Sequence, residues 1–232
     1  MTVVAVTGGT GFIGGHVIRR FAARGDRVIA ACRHAARASE LNRLSGQYPG
    51  HLKVLPLDLA DPRSIAEIAR EVAMLEITVD VLIHNAGVLN PGESFGEVEA
   101  RALTQAYVTN AQGPFLLSQA MAGRLADGGK LIAISSGLGS MARTTRFGTP
   151  SYNISKAALN MVVRLLGQAL AERRIAVLAI SPGWVRTDMG GEGADLEPAE
   201  SVAAMLEVID ALEFDADAIG VFRDRQGEPL PW

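Results

Sequence analysis

Short apolar runs alternate along the chain with longer stretches in which apolar residues recur every three or four positions. The runs carry apolar side chains on both faces, which is typical of parallel strands covered by helices. They lie at 3–6, 27–31, 52–57, 80–83, 130–135, 175–180 and 219–222. The periodic stretches predict helices at 14–24, 64–75, 99–125, 152–173 and 199–212. The alternation predicts an α/β fold, a doubly wound parallel β-sheet flanked by helices on both faces.

The composition is that of an ordinary globular protein. The chain has 232 residues, of which 48% are hydrophobic and 20% charged, and we expect one domain over 1–232. Two irregular stretches, at 137–150 and 183–198, each follow a predicted strand end, where ligands bind in open α/β sheets. We interpret them as substrate loops; ordinary surface loops are the alternative.

The charge and the cysteine content limit the classes of binding partner and the cellular compartment that we expect. The formal net charge of −3 gives no general attraction to nucleic acid or to an anionic membrane. Cys32 is the only cysteine, so no disulfide can form within the chain. The sequence shows no basic leader, and no apolar run approaches the roughly 18 residues needed to span a bilayer. We therefore expect a cytoplasmic protein.

A glycine-rich segment, TGGTGFIG at 7–14, joins the first predicted strand to the first predicted helix. The absence of side chains at Gly8, Gly11 and Gly14 lets the backbone approach a pyrophosphate, whose charge is favoured at a helix N-terminus. The segment therefore indicates a nucleotide site. A tight turn that binds nothing is the alternative interpretation of the glycine pattern alone.

Tyr152 and Lys156 lie four positions apart in a predicted helix and so share one face. An ammonium group beside a phenol favours the phenolate and lowers the pKa of the tyrosine from its usual value of about 10. The pair predicts acid–base chemistry near neutral pH. An ordinary amphipathic helix is the alternative for the pair taken alone.

Six segments stand in the order found in the short-chain dehydrogenase/reductase family, which the chain resembles over essentially its whole length. They are TGGTGFIG at 7–14, HNAG at 84–87, NAQG at 110–113, ISS at 134–136, YNISK at 152–156 and PGWVRTDM at 182–189. The chain is most similar to the carbonyl-reductase and C-factor-like members. The resemblance implies a Rossmann-type sheet of about seven strands and NAD(P)-dependent oxidation or reduction at a carbonyl or alcohol carbon.

The resemblance implies catalytic roles for four side chains. Tyr152 is the general acid in reduction and the general base in oxidation. Lys156 holds the nicotinamide ribose and lowers the pKa of Tyr152. Ser136 donates a hydrogen bond to the substrate oxygen, and Asn110 helps position a water relay near Lys156.

The choice of cofactor depends on the end of the second predicted strand. A carboxylate there bonds the ribose 2′-hydroxyl of NAD and repels the 2′-phosphate of NADP. Cys32 and Arg33 take that position, with Arg37 one turn on, and arginine matches phosphate by paired hydrogen bonds. NADP(H) is therefore favoured over NAD(H), with a solvated arginine as the alternative. The resemblance assigns cofactor contacts to Gly8, Thr10, Gly11, Phe12, Ile13, Gly14, Arg33, Asp58, Leu59, Asn85, Ala86, Gly87, Tyr152, Lys156, Pro182, Gly183, Val185 and Thr187.

Three features depart from the family pattern, and the third is the long segment between Ser136 and Tyr152. The spacing of Gly11 and Gly14 resembles a longer epimerase-like branch, but the 43 residues after Met189 are too few for the sugar-nucleotide lobe of that branch. His84 stands where asparagine is usual, and we interpret it as a structural side chain.

Three assignments stay open at this point. The segment between Ser136 and the tyrosine is longer than is common in the family, so Ser135 and Ser140 are alternative donors to the substrate. Asp58 resembles a residue that contacts adenine, and it is also consistent with a helix cap. Trp184 is consistent with a core side chain or with a wall of the substrate site.

Taken together, these observations favour an NADPH-dependent oxidoreductase that reduces a small aldehyde or ketone and reverses as an alcohol dehydrogenase. The alternative is a C-factor-like NAD(P)-binding signalling or sensor protein, and a nucleotide-sugar epimerase or dehydratase is less favoured. We assign no metal site, because the histidines lack ligand spacing. We expect a homodimer or homotetramer associating through the helices predicted at 99–125 and 152–173.

Overall fold

The computed structural model describes residues 1–232 and contains one parallel sheet of seven strands. The strands are β1 (Val3–Thr7), β2 (Arg27–Cys32), β3 (Leu52–Pro56), β4 (Val79–His84), β5 (Leu125–Ile134), β6 (Ala176–Ser181) and β7 (Val221–Asp224). Their order across the sheet is β3-β2-β1-β4-β5-β6-β7, and every neighbouring pair is parallel. The Rossmann-type sheet expected from the sequence is confirmed.

Seven α-helices cover the two faces of the sheet. They are α1 (Phe12–Ala23), α2 (Ser39–Gln47), α3 (Pro62–Met74), α4 (Ala100–Tyr107), α5 (Gly113–Met121), α6 (Pro150–Leu170) and α7 (Pro198–Ala211). Apolar residues of α3, α5 and α6 pack on one face of the sheet. Those of α1, α2 and α7 pack on the other face.

The strands are apolar on both faces because each face is covered. Leu82 belongs to the core under α3 and α5, whereas its neighbour Ile83 belongs to the core under α1 and α7. Leu131 and Ile132 on β5 divide in the same way. Burying one such side chain stabilises the fold by about 1.5–3 kcal/mol. The two cores, one on each face, therefore hold the sheet between the two layers of helices.

Three elements differ from the sequence prediction. The stretch predicted as one helix at 99–125 is α4, a π-helical turn at Val108–Gln112, α5 and a 3-10 turn, and its last residue already begins β5. Helix α2 was not predicted, because only Leu41 and Leu44 of its nine residues are buried. The last strand starts at Val221 rather than at 219, since Gly220 has a φ of 60°.

All strands run in one direction, so their carboxyl ends lie at one edge of the sheet. The segments that follow β1, β4, β5 and β6 at this edge carry most of the predicted site residues. None of the helices is both long enough and apolar enough to cross a lipid bilayer.

Candidate active site

The glycine-rich turn leaves β1 and leads directly into α1. Gly8 has a φ of 70°, a conformation that glycine adopts without steric cost. A Cβ at Gly14 would overlap the carbonyl oxygen of Gly8 and lie 2.6 Å from the amide nitrogen of Asn85. Both positions therefore exclude a side chain as long as the turn keeps this shape.

The first turn of α1 presents free N–H groups. No side chain caps the helix, and no acidic residue lies in its first turn. The N–H groups of Phe12, Ile13 and Gly14 donate to no protein acceptor, and Thr10, Gly11 and Phe12 are exposed. Free donors at a helix N-terminus favour an anion. The turn thus fits the pyrophosphate of a dinucleotide.

Asn85 supports the glycine turn from the end of β4. Its side-chain amide donates to the carbonyl oxygens of Thr7 and Gly8, each at 3.1 Å. The Thr7 hydroxyl in turn accepts the N–H groups of Asn85 and Ala86. These bonds join the carboxyl ends of β1 and β4. Both hydrogen bonds that the Asn85 side-chain amide donates are thus made to other groups of the protein.

The end of β2 carries positive side chains and no negative ones. Arg33 follows the buried Cys32, and both Arg33 and Arg37 are exposed. Neither arginine forms an ion pair. The next acidic residue along the chain, Glu40, is already paired with two other arginines. The two free guanidinium groups fit an anionic group placed at this strand end.

Asp58 and Leu59 lie in the turn after β3. One carboxylate oxygen of Asp58 accepts the N–H of the residue two positions on, at 2.9 Å. The cap of α3 is Asp61, whose carboxylate accepts the N–H of Arg63 at 2.9 Å. The helix-cap alternative for Asp58 is therefore wrong. The side chain of Leu59 is buried in the core, which leaves its backbone for contact with a ligand.

Tyr152 is the third residue of α6, and 8% of its surface is exposed. Burial raises the pKa of Tyr152 to about 12, and the nearby Ser136 hydroxyl opposes this with a smaller lowering. The direction is opposite to the one that the sequence suggested from the charge of Lys156, because removal of the phenol from water dominates. The phenol is therefore protonated at neutral pH and lies beside the Ser136 hydroxyl.

The three candidate serines differ in what their hydroxyls contact. Ser135 is buried and its hydroxyl donates to the Asn160 side-chain oxygen at 2.7 Å. Ser140 is also buried and donates to the Pro231 carbonyl at 2.7 Å. Ser136 is partly exposed, its hydroxyl accepts the N–H of Leu138 at 3.1 Å, and it donates to no protein acceptor. The geometry therefore favours Ser136 over both alternatives as the group that meets a substrate oxygen.

Lys156 lies one helical turn after Tyr152, with its Nζ 5.5 Å from the centroid of the phenol ring. The Nζ donates to the carbonyl oxygen of Ile134 at 2.7 Å. A Cβ at Gly87 would lie 3.7 Å from the same nitrogen, so the segment after β4 packs against the ammonium group. Burial lowers the pKa of Lys156 to about 8.

Asn110 lies in the π-helical turn between α4 and α5 and is fully buried. Its amide oxygen accepts the N–H of Val88 at 2.8 Å, and its amide nitrogen donates to the Val88 carbonyl at 2.8 Å. The same nitrogen donates to the Ser155 hydroxyl at 2.9 Å. Such π turns are frequent at functional sites. Here the turn lets one amide connect the segment after β4 to α6.

The segment after β6 contains a buried residue with a free donor. Pro182 is buried and Gly183 exposed. Val185 is buried, yet its N–H donates to no protein acceptor. The hydroxyl of Thr187 accepts the N–H of Gly190 at 3.1 Å and so stabilises its own turn. The free N–H of Val185 fits a carboxamide acceptor such as that of nicotinamide.

Exposed apolar side chains cluster on the loops that follow β4, β5 and β6. Phe95 and Phe147 contact each other edge to face, with ring centroids 5.6 Å apart. Trp184 is 56% exposed and donates from its indole to the Gly190 carbonyl at 2.8 Å, so its interpretation as a core side chain is wrong. Further exposed apolar residues on these loops are Leu138, Met141 and Met189.

His84 is buried at the end of β4, and burial lowers its pKa to about 3. Its Nε2 lies 2.7 Å from the Ser118 hydroxyl, which donates its hydrogen to the Pro114 carbonyl at 2.8 Å. The ring nitrogen is therefore the donor to Ser118. The neutral imidazole links β4 to α5, which supports the structural interpretation.

Sequence reasoning missed the polar side chains that hold the start of α6. Glu93 accepts the N–H of Ser151 at 3.0 Å, and Asn90 donates to the hydroxyl of the same serine at 3.3 Å. The Ser155 hydroxyl donates to the Tyr152 carbonyl at 2.7 Å. No local signal could reveal these partners, because Glu93 and Ser151 are 58 positions apart.

Comparison with known proteins agrees with this geometry. A family model described as short chain dehydrogenase matches residues 2–197. The C-signal protein of Myxococcus xanthus is 40% identical over 156 residues, which cover 66% of this chain and 93% of that protein.

Two solved structures resemble the fold over its whole length. The carbonyl reductase Sniffer of D. melanogaster has a TM-score of 0.92 and 26% identity, with 100% of both chains covered. The NADPH-bound carbonyl reductase from chicken fatty liver has a TM-score of 0.91 and 32% identity, again with 100% of both chains covered.

Proposed function

Because the chain belongs to the short-chain dehydrogenase family of oxidoreductases, we propose that it is an NADPH-dependent reductase of a small aldehyde or ketone. The reverse reaction oxidises the corresponding alcohol. The observation that carries this proposal is the buried, protonated Tyr152, which lies near the Ser136 hydroxyl and has the ammonium group of Lys156 beside its ring.

The pKa of Tyr152 favours the reductive direction. With a pKa of about 12 the phenol holds its proton at neutral pH, as a proton donor must. Tyr152 donates this proton to the substrate oxygen, while the Ser136 hydroxyl donates a second hydrogen bond to the same oxygen. The two donors stabilise the negative charge that develops there.

Lys156 and Asn110 act around this pair. The ammonium group of Lys156 favours the phenolate that is left after proton transfer, since the two side chains share one face of α6. Asn110 holds the segment that begins at Val88 against the same helix. NADPH, when bound, supplies the hydride.

The residues at the end of β2 support NADP(H) over NAD(H). Arg33 and Arg37 are exposed and unpaired there, and no carboxylate stands at the position that selects NAD. A guanidinium group bonds the 2′-phosphate that only NADP carries. The chicken carbonyl reductase, similar over its full length, is NADPH-bound.

The proposed class of substrate rests on the exposed apolar residues of the loops. Phe95, Phe147 and Trp184 are exposed on segments that follow β4, β5 and β6, at the sheet edge that carries Ser136. Exposed apolar groups at a site bind apolar surface of a ligand. We infer a partly apolar carbonyl compound as the substrate.

The test is NADPH oxidation by the purified protein with a panel of aldehydes, ketones and diketones, repeated with NADH. Replacing Tyr152 with Phe removes the proton donor, so we expect kcat to fall by about two to four orders of magnitude while the Kd of NADPH stays unchanged. Tyr107→Phe is the matched control, because Tyr107 is an exposed tyrosine on α4. Appreciable turnover by Tyr152→Phe, or a preference for NADH, would contradict the proposal.

The similarity to C-signal favours a second candidate, a nucleotide-binding signalling protein. Binding alone requires no proton donor beside the cofactor, so the two candidates differ in turnover. A protein that binds NADPH tightly and reduces no member of the panel would favour the second candidate.

A further inference from the structure

The helix that carries Tyr152 and Lys156 lacks a cap of its own. The residue before it, Thr149, has a left-handed backbone with a φ of 42°, and its side chain caps no N–H of the helix. The Thr149 hydroxyl instead bonds the side-chain oxygen of Asn153 at 3.1 Å. Pro150 is the first residue of α6 and has no N–H. The first free donor of the helix is therefore the N–H of Ser151.

The cap comes from the segment that follows β4. Glu93 accepts the Ser151 N–H through one carboxylate oxygen at 3.0 Å. Asn90, three residues earlier, reaches both the Ser151 hydroxyl at 3.3 Å and the Ala102 carbonyl of α4 at 3.4 Å. A carboxylate at this position also meets the positive end of the helix dipole.

The second carboxylate oxygen of Glu93 is buried and has no hydrogen-bond partner. A buried acceptor left unpaired opposes folding. The position thus holds a carboxyl group whose only polar contact is the start of α6. This contact is made to Ser151, the residue directly before Tyr152.

The same segment is fixed at its other end by Asn110, which bonds both backbone groups of Val88. Asn110 also donates to Ser155, whose hydroxyl donates to the Tyr152 carbonyl. Tyr152 is therefore held on two sides, through Ser151 and through Ser155. Both connections lead to the segment 88–93.

We propose that Glu93 is a positioning residue for Tyr152, acting through the N-terminus of α6. This rests on the proposed function in so far as Tyr152 is the proton donor. The carboxylate fixes the first turn of the helix and with it the direction of the phenol toward Ser136. Without it, the first turn loosens and the two hydroxyls lose their alignment, although the cofactor site at α1 is unaffected.

The experiment compares Glu93→Ala and Glu93→Gln with the control Glu97→Ala. Glu97 lies on the same loop, is exposed, and forms no side-chain hydrogen bond or ion pair. For Glu93→Ala we expect kcat to fall roughly tenfold to a hundredfold, with the Kd of NADPH unchanged, since misalignment acts on the chemical step. Glu93→Gln keeps an oxygen that accepts the Ser151 N–H, so its kcat should stay within about threefold of wild type.

Hydrogen exchange of the amides of residues 151–155 is measured in the same variants. In Glu93→Ala these amides should exchange roughly tenfold faster, whereas Glu97→Ala and Glu93→Gln should match wild type. This readout needs no substrate. If the wild-type protein reduces no carbonyl compound, the proposed function fails, while the exchange data still decide whether Glu93 holds the helix.

Three results would overturn the inference. They are unchanged kcat and unchanged exchange in Glu93→Ala, equal losses in Glu97→Ala, and a Glu93→Gln variant as impaired as Glu93→Ala. A thermal melt of each variant separates a local effect from loss of the fold. Misalignment predicts a lower kcat per folded molecule.

Discussion

At the scale of single residues, burial sets the chemistry of the site. The same loss of water raises the pKa of Tyr152 to about 12 and lowers that of Lys156 to about 8. Both shifts favour the neutral form. The charge of Lys156 therefore costs folding free energy, which is the cost that its proposed role beside the phenol has to offset.

This cost predicts a pH dependence of stability. The pKa of Lys156 is about 8 in the folded protein and 10.5 in its ordinary state. Between these values the unfolded chain holds the proton and the folded chain does not, so raising the pH favours folding. Relative to Lys156→Met, the wild-type free energy of unfolding should rise by about 2 kcal/mol from pH 8 to pH 10.

Urea unfolding of both proteins across this pH range measures the difference. Tyr152 is present in both and cancels to first order in the comparison. Below about pH 7, one unit under the folded pKa of about 8, the lysine is charged in both states, so the difference should be constant there. Parallel curves from pH 8 to pH 10 would show that the ammonium group is solvated in the folded protein.

Single residues also show which features of the site can be predicted from the sequence. The Tyr152 and Lys156 pair was predictable because four-residue spacing fixes a shared helix face. The preference for Ser136 over Ser135 came from the family resemblance alone, because the contacts that distinguish the two hydroxyls are made between elements. The direction of the Tyr152 pKa shift was predicted wrongly, since burial is a tertiary property.

At the scale of elements, the turn between β1 and α1 leads to different predictions for two adjacent glycines. Gly14 and Gly15 are adjacent on one helix, yet a Cβ at Gly14 would lie 2.6 Å from the Asn85 amide, whereas a Cβ at Gly15 meets only the Gly9 carbonyl at 3.7 Å. Gly14→Ala should raise the Kd of NADPH at least about tenfold and lower the free energy of unfolding by about 1–3 kcal/mol. Gly15→Ala should stabilise the helix by up to about 1 kcal/mol and leave the Kd unchanged.

Titration of NADPH by its fluorescence, together with a thermal melt, checks both variants. The pair is matched in chemistry and differs only in the space around the added methyl group. Equal affinity for NADPH in the two variants would show that the glycine turn does not hold the cofactor.

The predictability of elements follows from how strongly each is buried. The strands were found because both of their faces are apolar. The break in the helix predicted at 99–125 was missed because a π turn leaves the apolar spacing almost unchanged. Helix α2 was missed because it buries so little.

At the scale of the whole molecule, α6 leaves an apolar stripe exposed. Ile154, Met161 and Leu165 follow one another at seven- and four-residue spacing, so they share one face, and each is more than half exposed. Tyr107 on α4 is exposed as well. This stripe is therefore the surface through which we expect the homodimer or homotetramer to form.

We expect the double variant Met161→Glu with Leu165→Glu to be monomeric and the wild-type protein to be dimeric or tetrameric, because charges oppose burial of this stripe. Size-exclusion chromatography with light scattering measures the mass. Met74→Glu is the control, since Met74 is exposed on the distant helix α3. A monomeric wild-type protein at micromolar concentration would refute the expectation.

The order of the strands has a consequence for how the chain folds. The first strand lies inside the sheet, and its Val4 pairs with Val28 on one side and with Val81 on the other. The first contact spans a short stretch of chain, but the second closes the loop between residues 4 and 81, and such non-local pairing slows folding. Until β4 arrives, one edge of β1 has unpaired backbone groups and an apolar surface, which is the condition under which partly folded chains aggregate. The strand that leads into the glycine turn is thus the strand whose pairing is completed late.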